Sequence, residues 1–404
     1  MRVLLFDPDY GGHHLVYPSK MIPRLEALDD DIEVTFLTAR RHEVHDEFFD
    51  PEQIDFLFDP DSDILEELSE DRSAANERIY RRLREYLATN NYDVVHLLHV
   101  DDVFSIVRRH LADADASVVG LINGMFFGQD WKSKYAYSMM RLPPGGRAGE
   151  LIARLLPFPN TELYRCLYER SFDYLMVNTE LAKEYVEGLD PLEPRTEVSV
   201  VPTASEIWHD EGNRERARAT VELPTDEMIL LFFGELRTNK GIKFLLSALQ
   251  SYDGPPFTMV FAGKPVDVES NDIAVRSDAV SIVRRLGFVP EERVTSYFLA
   301  ADGVVVPHRP SFGKQRTSGV FQRATAAGRP VIASDFGVFT YRTKEYDLGL
   351  TFDPKSQTAL LDAITTFVER NGKVHDQEAV EEFARSQSFD KLAESSLDIY
   401  KKTI

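Results

Sequence analysis

The chain has 404 residues, 43% of them hydrophobic and 28% charged, which excludes a single small module and a globally disordered protein. Its 67 acidic and 46 basic residues give a net charge of −21, which argues against nucleic-acid binding by the surface as a whole. A single cysteine, Cys166, excludes an internal disulfide and a cysteine zinc site, and we expect it to be a buried apolar residue in a reducing compartment.

The first residues do not resemble a signal peptide. The apolar residues 3–6 lead directly to Asp7 and Asp9 instead of to a long apolar stretch. No apolar run approaches the ~20 residues that span a bilayer. We therefore expect a cytoplasmic protein, and peripheral contact with the inner face of the membrane stays open. Its acidic surface would suit a salt-rich cytoplasm as well as an ordinary one.

The N-terminal half alternates short apolar runs with helix-like segments, the rhythm of a parallel α/β sheet. Residues 43–71 contain 13 acidic residues and no Lys or Arg, and they predict a solvated acidic segment. The predicted strands of this half are 3–6, 32–37, 93–98, 117–122 and 174–178. One predicted helix ends at residue 28, and another spans 74–89.

Between these elements, residues 126–170 reverse the sign of the charge. Seven basic and three acidic residues fall within 131–170, interleaved with aromatic and aliphatic side chains. Such a mixture is typical of a surface that meets anionic lipid headgroups, but aromatic residues packed into a domain with arginines at its rim would give the same pattern. The candidate residues for an acceptor-binding or membrane-facing surface are Trp131, Lys132, Lys134 and Arg141.

A second α/β rhythm follows residues 190–195, which contain two prolines and form a plausible linker. Two doubly wound domains facing a cleft are the predicted architecture. The second domain's predicted strands are 228–233, 258–262, 281–285, 303–306, 330–333 and 350–352, and its predicted helices are 242–250, 291–300 and 319–327.

Ligands of open α/β sheets collect at the carboxyl ends of the strands, so the loops there are the candidate sites. After the first strand, Gly11 and Gly12 open a helix and His13 follows; this loop could bind phosphate or could only be tightly packed. After strand 228–233, the loop from Gly234 to Gly241 places Arg237 and Lys240 at a helix N-terminus, an arrangement that favours an arriving diphosphate.

A third loop contains Thr317, Ser318 and Gly319, a further helix start that could hold an anion. His99 follows strand 93–98 and could reach a sugar, although a packed loop histidine is the alternative. The Asp-x-Asp triplets are numerous in an Asp-rich chain, and we predict no metal site from them.

Several landmarks of the C-terminal half occur in one order: Gly234 to Lys240 and Gly241, 286–290, 300–307, 326–334 and Gly349. Together they resemble the donor domain of GT-B-fold glycosyltransferases of family four over roughly residues 228–353. The N-terminal half is similar only in its glycine loop and residues 93–96. The resemblance implies two Rossmann-like domains, 1–195 on the acceptor side and 196–387 on the donor side. It also implies that a helix over 388–404 packs back on the first domain.

The resemblance further implies roles for single residues. Arg237 and Lys240 would hold the diphosphate, Thr317 to Val320 would cradle it, and Val289 would lie against the base. The family's glutamate pair is not matched, because Gln315 and Arg323 occupy those positions, and Arg323 would instead bind phosphate or pair with an acid such as Asp335. Asn123 and Gly124 stand where the family often has His-Gly.

The function that the resemblance implies is retaining transfer of a sugar to a saccharide or lipid-linked acceptor during glycan or polysaccharide synthesis. The donor would be a nucleotide-sugar, with a UDP- or GDP-sugar expected, and no cofactor would be needed. Because the glutamate pair is missing, a catalytically silent GT-B protein that binds nucleotide-sugars or regulates a partner is the alternative. Neither reading includes nucleic acid as a partner.

Overall fold

The computed structural model describes residues 1–10, 13–124, 159–189, 196–208 and 214–404. They form two compact units, one of residues 1–201 with 389–404 and the other of residues 202–388. No helix among the described residues combines the length and the apolar character that crossing a bilayer requires.

The first unit is built on a parallel sheet whose described strands run in the order β3-β2-β1-β4-β5-β6-β7. Every residue of β4, and every residue of β1 after Arg2, is buried, as expected for central strands covered on both faces. The strands are β1 Arg2–Phe6, β2 Glu33–Arg40, β3 Ile54–Phe58, β4 Val94–Leu97, β5 Ser117–Ile122, β6 Tyr174–Val177 and β7 Glu197–Val200.

Helices cover this sheet. Asp71 begins the third of them by accepting a hydrogen bond from the Ala74 backbone N–H at 3.1 Å, which satisfies one donor of the first turn. The described helices of the first unit are α1 His13–Leu28, α2 Ile64–Glu70, α3 Arg72–Leu87, α4 Phe104–His110, α5 Pro159–Tyr168 and α6 Glu180–Leu189.

The structure of the acidic segment 43–71 corrects one prediction. We expected a solvated segment, but the structure places the edge strand β3 and the helix α2 there. Ile64, Leu65 and Leu68 of α2 are buried in the core of the unit. The acids occupy the exposed positions of amphipathic elements, so the charge count concealed an apolar face.

The second unit contains a parallel sheet in the order β10-β9-β8-β11-β12-β13 among the described residues. Its strands are β8 Ile229–Phe233, β9 Phe257–Gly263, β10 Val280–Leu286, β11 Gly303–Val306, β12 Val331–Ser334 and β13 Gly349–Phe352. Its helices are α7 Arg214–Thr220, α8 Ile242–Leu249, α9 Glu291–Ala300, α10 Gly319–Ala326, α11 Gly337–Glu345, α12 Gln357–Glu369 and α13 Gln377–Ser386. Both sheets confirm the predicted α/β fold class.

The last helix, α14 Phe389–Thr403, belongs to the first unit. Asp390 accepts from Arg24 at 2.6 Å, and the Tyr400 hydroxyl contacts His96 Nδ1 at 2.6 Å inside the core. Burial lowers the pKa of His96 to about 3, so this histidine is a neutral structural residue at neutral pH. Cys166 is also buried, as expected, and its thiol donates to Phe104 O.

Candidate functional site

The second unit gathers its predicted loops at the carboxyl ends of β8 and β11. Gly234 follows β8, Pro307 follows β11, and α10 begins at Gly319. Two backbone approaches fix these loops. Gly241 has φ 86°, and a Cβ there would lie 1.8 Å from Pro307 O. Gly263 has φ 136°, and a Cβ there would lie 1.9 Å from Gly234 O. Only glycine permits both the positive φ and the close approach.

Lys240 lies inside this group of loops. A Cβ built on Gly234 would be 3.4 Å from Lys240 Nζ and 3.7 Å from Val320 Cγ2, which places the ammonium group beside the loop after β8 and the start of α10. No carboxylate among the described residues forms an ion pair with Lys240. Burial lowers its pKa, and the charges of Arg237 and Arg316 lower it further against the opposing effect of Glu235.

Arg237 differs from Lys240 in its surroundings. It is exposed, and its guanidinium pairs with Glu235 at 3.0 Å. The following turn, Thr238–Lys240, is a single 3-10 turn whose first N–H donates to Asp267 at 2.8 Å. The Glu235 carboxylate therefore compensates part of the charge of Arg237, whereas Lys240 has no such ion-pair partner among the described residues.

The start of α10 provides backbone donors. Gln322 N–H donates to Ser318 O, so the preceding N–H groups of the helix have no partner within it. Ser318 occupies the N-cap position but its side chain does not cap the helix, and a Cβ on Gly319 would meet no atom within 4 Å. Thr317 accepts from the Gln322 side chain at 3.1 Å. Open space therefore adjoins a helix N-terminus, where anions are favoured.

His308, two residues after the end of β11, was absent from the sequence-derived candidates. It is 2% exposed, and neither ring nitrogen has a hydrogen-bond partner among the described residues. Its ring packs on Phe312 at 4.4 Å and Phe339 at 5.2 Å between centroids. Burial lowers the pKa of His308 to about 3, and the charges of Lys240 and Arg316 act in the same direction. The signal in the sequence was a polar residue in the loop that begins right after a buried strand.

The two positions that replace the family's glutamates carry no carboxylate. Arg323 pairs with an acid, as one of the two alternatives expected, but the acid is Glu291 at 2.8 Å. Asp335 instead accepts from Thr340 at 2.6 Å and from Lys344 at 3.2 Å. Gln315 is half-buried.

Val289 is half-buried and lines a pocket of about 330 Å³ at the end of β10. The neighbouring Phe288 is 85% exposed, and Arg284 and Arg293 also line the pocket. An aromatic ring and guanidinium groups beside an aliphatic residue offer flat contacts, which keeps a base-binding role for Val289 as a prediction.

Among the described residues, the carboxyl edge of the first sheet holds a network of hydrogen-bonded polar side chains. Asp7 Oδ2 contacts His14 Nδ1 at 2.8 Å, and the Asp9 N–H donates to Asp7 Oδ1 at 3.0 Å. Arg72 donates to both Asp9 oxygens at 2.9 and 3.0 Å. Burial alone would lower the pKa of His14, but the hydrogen bond and charge of Asp7 outweigh it and raise that pKa.

Histidine 99 belongs to the same network. His99 Nδ1 lies 3.1 Å from Asn123 Nδ2, and the Asn123 N–H donates to Asp101 at 2.8 Å. The rings of His14 and His99 have centroids 6.2 Å apart. The structure thus brings together His99 and Asn123 with Asp7 and His14, which the sequence motifs did not group.

Asp7, Asp9 and His14 are close enough together to coordinate one metal ion. Oxygen atoms of Asp7 and Asp9 and a ring nitrogen of His14 lie within 4.8 Å of one another. Arg72 already neutralises Asp9, and Asp7 already bonds His14, so a metal would have to displace existing contacts. We assign no metal to this cluster.

Six predicted site residues lie outside the described residues, as does the side chain of His13. They are Gly11, Gly12, Trp131, Lys132, Lys134 and Arg141.

Comparison with known proteins supports the sequence resemblance. Residues 213–387 match the family model described as glycosyl transferases group 1. A D-inositol 3-phosphate glycosyltransferase of Mycolicibacterium smegmatis is 32% identical over 173 residues, covering 41% of this chain and 38% of that protein. The chain spans 34% to 58% of the length of the curated relatives first matched.

Solved structures match the whole chain. Sucrose-phosphate synthase from Thermosynechococcus elongatus has a TM-score of 0.67 at 17% identity, covering 99% of this chain and 98% of its own. Anabaena HepE in complex with UDP has a TM-score of 0.66 at 12% identity and covers 100% of both chains. The predicted GT-B fold is confirmed, and so is the resemblance to this glycosyltransferase family.

Proposed function

We propose that this chain, whose residues 213–387 match the group 1 glycosyl transferases, transfers a sugar from a nucleotide-diphosphate sugar to a saccharide or lipid-linked acceptor. The donor is expected to be a UDP- or GDP-sugar. UDP is bound by Anabaena HepE, which shares the fold, and this supports a uridine donor as the first one to test.

The observation that carries the proposal is a cation without an ion-pair partner among the described residues at the carboxyl edge of the second sheet. Lys240 is half-buried with no ion-pair partner among the described residues, beside the start of α10 and its open space. Burying a cation costs free energy unless an anion accompanies it. A diphosphate supplies that anion and also satisfies the N–H groups of the helix start.

The chemistry follows from where charge develops. As the bond between the anomeric carbon and the diphosphate oxygen breaks, its electron pair remains on the diphosphate. Lys240 and Arg237 would stabilise this charge most strongly at the transition state. The acceptor hydroxyl forms the new bond to the anomeric carbon, and its proton passes to a leaving phosphate oxygen. Retention of the anomeric configuration belongs to this proposal, and NMR analysis of the product would establish it.

The polar edge of the first sheet suits an acceptor rich in hydroxyl groups. Asp7, His14, His99 and Asn123 combine donors and acceptors whose charges are locally balanced. Matched relatives are named for D-inositol 3-phosphate, so a phosphorylated polyol should be tested beside saccharides and lipid-linked sugars. We assign His99 to the acceptor side as a candidate catalytic residue.

The test begins with donor binding and continues to turnover. A thermal-shift screen with UDP-, GDP-, ADP- and TDP-sugars should raise the melting temperature for one base, since a ligand that binds the native state stabilises it. Mass spectrometry of acceptor mixtures should then show a product one sugar heavier. Absence of stabilisation by every nucleotide-sugar would contradict the proposal.

The positions of Gln315 and Arg323 favour a second candidate, a silent GT-B protein that binds a nucleotide-sugar to regulate a partner. Arg323 pairs with Glu291, so neither position presents a carboxylate to a donor. Calorimetry with the best nucleotide-sugar separates the two candidates. Binding without transfer to any acceptor or to water would favour the silent protein.

The basic segment 126–170 extends the proposal to the membrane. We expect a cytoplasmic protein whose Lys132, Lys134 and Arg141 contact anionic lipid at the inner face, near a lipid-linked acceptor. Reversing these three charges should weaken binding to vesicles of anionic phospholipid, and more so at low salt. Equal vesicle binding by the native and reversed proteins would contradict the membrane contact.

A further inference from the structure

Two buried histidines contrast in their environments. His96 in the first unit is buried, and its Nδ1 has the Tyr400 hydroxyl as partner at 2.6 Å. His308 in the second unit is equally buried, but neither Nδ1 nor Nε2 has a partner among the described residues. A buried polar atom without a hydrogen bond is costly, so a partner that arrives with a ligand would recover that cost.

The surroundings of His308 define what that ligand is. Lys240 and Arg316 are close enough to act electrostatically on its ring, and no carboxylate is among the charges that act on it. Because burial and these cations lower the pKa of His308 to about 3, the imidazole is neutral near pH 7. A neutral imidazole retains one N–H donor, which suits an anionic oxygen without adding a third positive charge.

The loop geometry keeps this donor in place. Phe312 and Phe339 both pack against the ring, and Pro307 O lies against Gly241, which follows Lys240 in the chain. The Arg309 N–H donates to Asn239 O at 2.9 Å, which ties the loop of His308 to the loop of Lys240. Asn239 Oδ1 is itself buried and has no hydrogen-bond partner within the described part of the chain. Two linked loops thus place unsatisfied polar atoms beside the candidate diphosphate site.

From these observations we infer that His308 is a donor-positioning residue whose ring N–H binds a phosphoryl oxygen of the diphosphate. The inference rests on the proposed function and adds a neutral donor to the two cations. The loops after β8 and β11 would then hold the diphosphate from two directions, with Lys240 in one loop and His308 in the other.

The experiment measures binding by calorimetry with the full chain and three probes: UDP, GDP and inorganic pyrophosphate. His308→Phe suits the aromatic surroundings and removes both ring nitrogens, so the fold should be retained. We expect it to weaken binding of the probes that the native protein binds by about tenfold or more, the size of one hydrogen bond to a charged group. His308→Gln keeps an N–H donor and should recover most of that loss.

The control is His375→Phe, the same substitution at a histidine of the second unit that contacts Gln377 and lies on a different loop. It should leave binding unchanged. A melting curve for each variant verifies folding, because His308→Phe should be at least as stable as the native protein. In ¹⁵N spectra of the native protein, one His308 ring nitrogen should shift when pyrophosphate is added, whether or not the variants fold.

The outcomes separate the two proposals. Undiminished binding by folded His308→Phe, or a loss confined to UDP and GDP and absent for pyrophosphate, would overturn the role of His308 and leave the proposed function standing. An unchanged His308 ring signal in pyrophosphate-saturated native protein would also overturn it. Failure of the native protein to bind any probe would overturn both.

Discussion

The carboxyl edges of the two sheets handle charge in opposite ways. In the first unit, Asp7, His14, Asp9 and Arg72 neutralise one another through side-chain hydrogen bonds. In the second unit, backbone contacts fix the loops, and Lys240 has no ion-pair partner among the described residues. A balanced network is suited to neutral hydroxyl groups, whereas an uncompensated cation is suited to an anion. The same fold thus provides two chemically distinct edges.

The largest effect should come from removing the uncompensated cation. Lys240→Ala should lower kcat/KM for the donor by about 100-fold, the usual effect of losing one electrostatic contact to a developing negative charge. Steady-state kinetics would measure it. The matched control is Lys243→Ala, which removes an equal charge from an exposed position three residues further along. Equal activity of native protein and Lys240→Ala would contradict the difference between the edges.

Next in size is the backbone contact that fixes the cationic edge. Gly241→Ala should destabilise the protein by about 2 kcal/mol or more, because a methyl group would strain a positive φ and meet Pro307 O. Gly319→Ala is the control, since its Cβ would meet no atom within 4 Å and its stability should change little. Urea unfolding would compare the stability of the two variants. Equal midpoints would show that the close contact between Gly241 and Pro307 O does not fix the loop.

The exposed Arg237 should contribute less to activity than the half-buried Lys240. Arg237→Ala should reduce kcat/KM by about tenfold, since Glu235 and solvent already screen the charge of Arg237. Glu235→Gln should have the opposite effect and tighten nucleotide binding, because it removes the carboxylate that competes with the nucleotide for Arg237. A larger loss of kcat/KM in Arg237→Ala than in Lys240→Ala would contradict this comparison. It would show that the lack of an ion-pair partner does not make Lys240 the more important cation.

The smallest effect concerns the balanced edge and depends on pH. The pKa of His14 is raised above 6.5 in the folded protein, so its stabilising contribution is complete below that pH and is lost as pH rises through the folded pKa. Asp7→Asn should therefore cost about 1 kcal/mol at pH 6 and less at pH 9. Unfolding at both pH values measures this difference, with Asp29→Asn as a control whose partner is Lys401. A cost that does not vary with pH would indicate that the Asp7–His14 contact is not ionic.

Local patterns predicted most of the regular structure. The apolar runs became strands within one or two residues at most positions, because strands covered on both faces need continuous apolar side chains. Residues 43–71 were the clear failure, since scattered charges on amphipathic β3 and α2 concealed their buried faces. The sequence also did not identify which acid pairs with Arg323, because Glu291 on α9 lies next to it only after folding.

Sequence alone determined the α/β class, the family resemblance and the loop that contains Arg237, Lys240 and Gly241, because these depend on residue order and local spacing. The tertiary structure decided that Lys240 is half-buried without an ion-pair partner in the described chain while Arg237 is exposed and paired. It also decided that His308 lies within electrostatic range of Lys240. Burial, desolvation and contacts between distant loops exist only once the chain has folded, so no local pattern could reveal them.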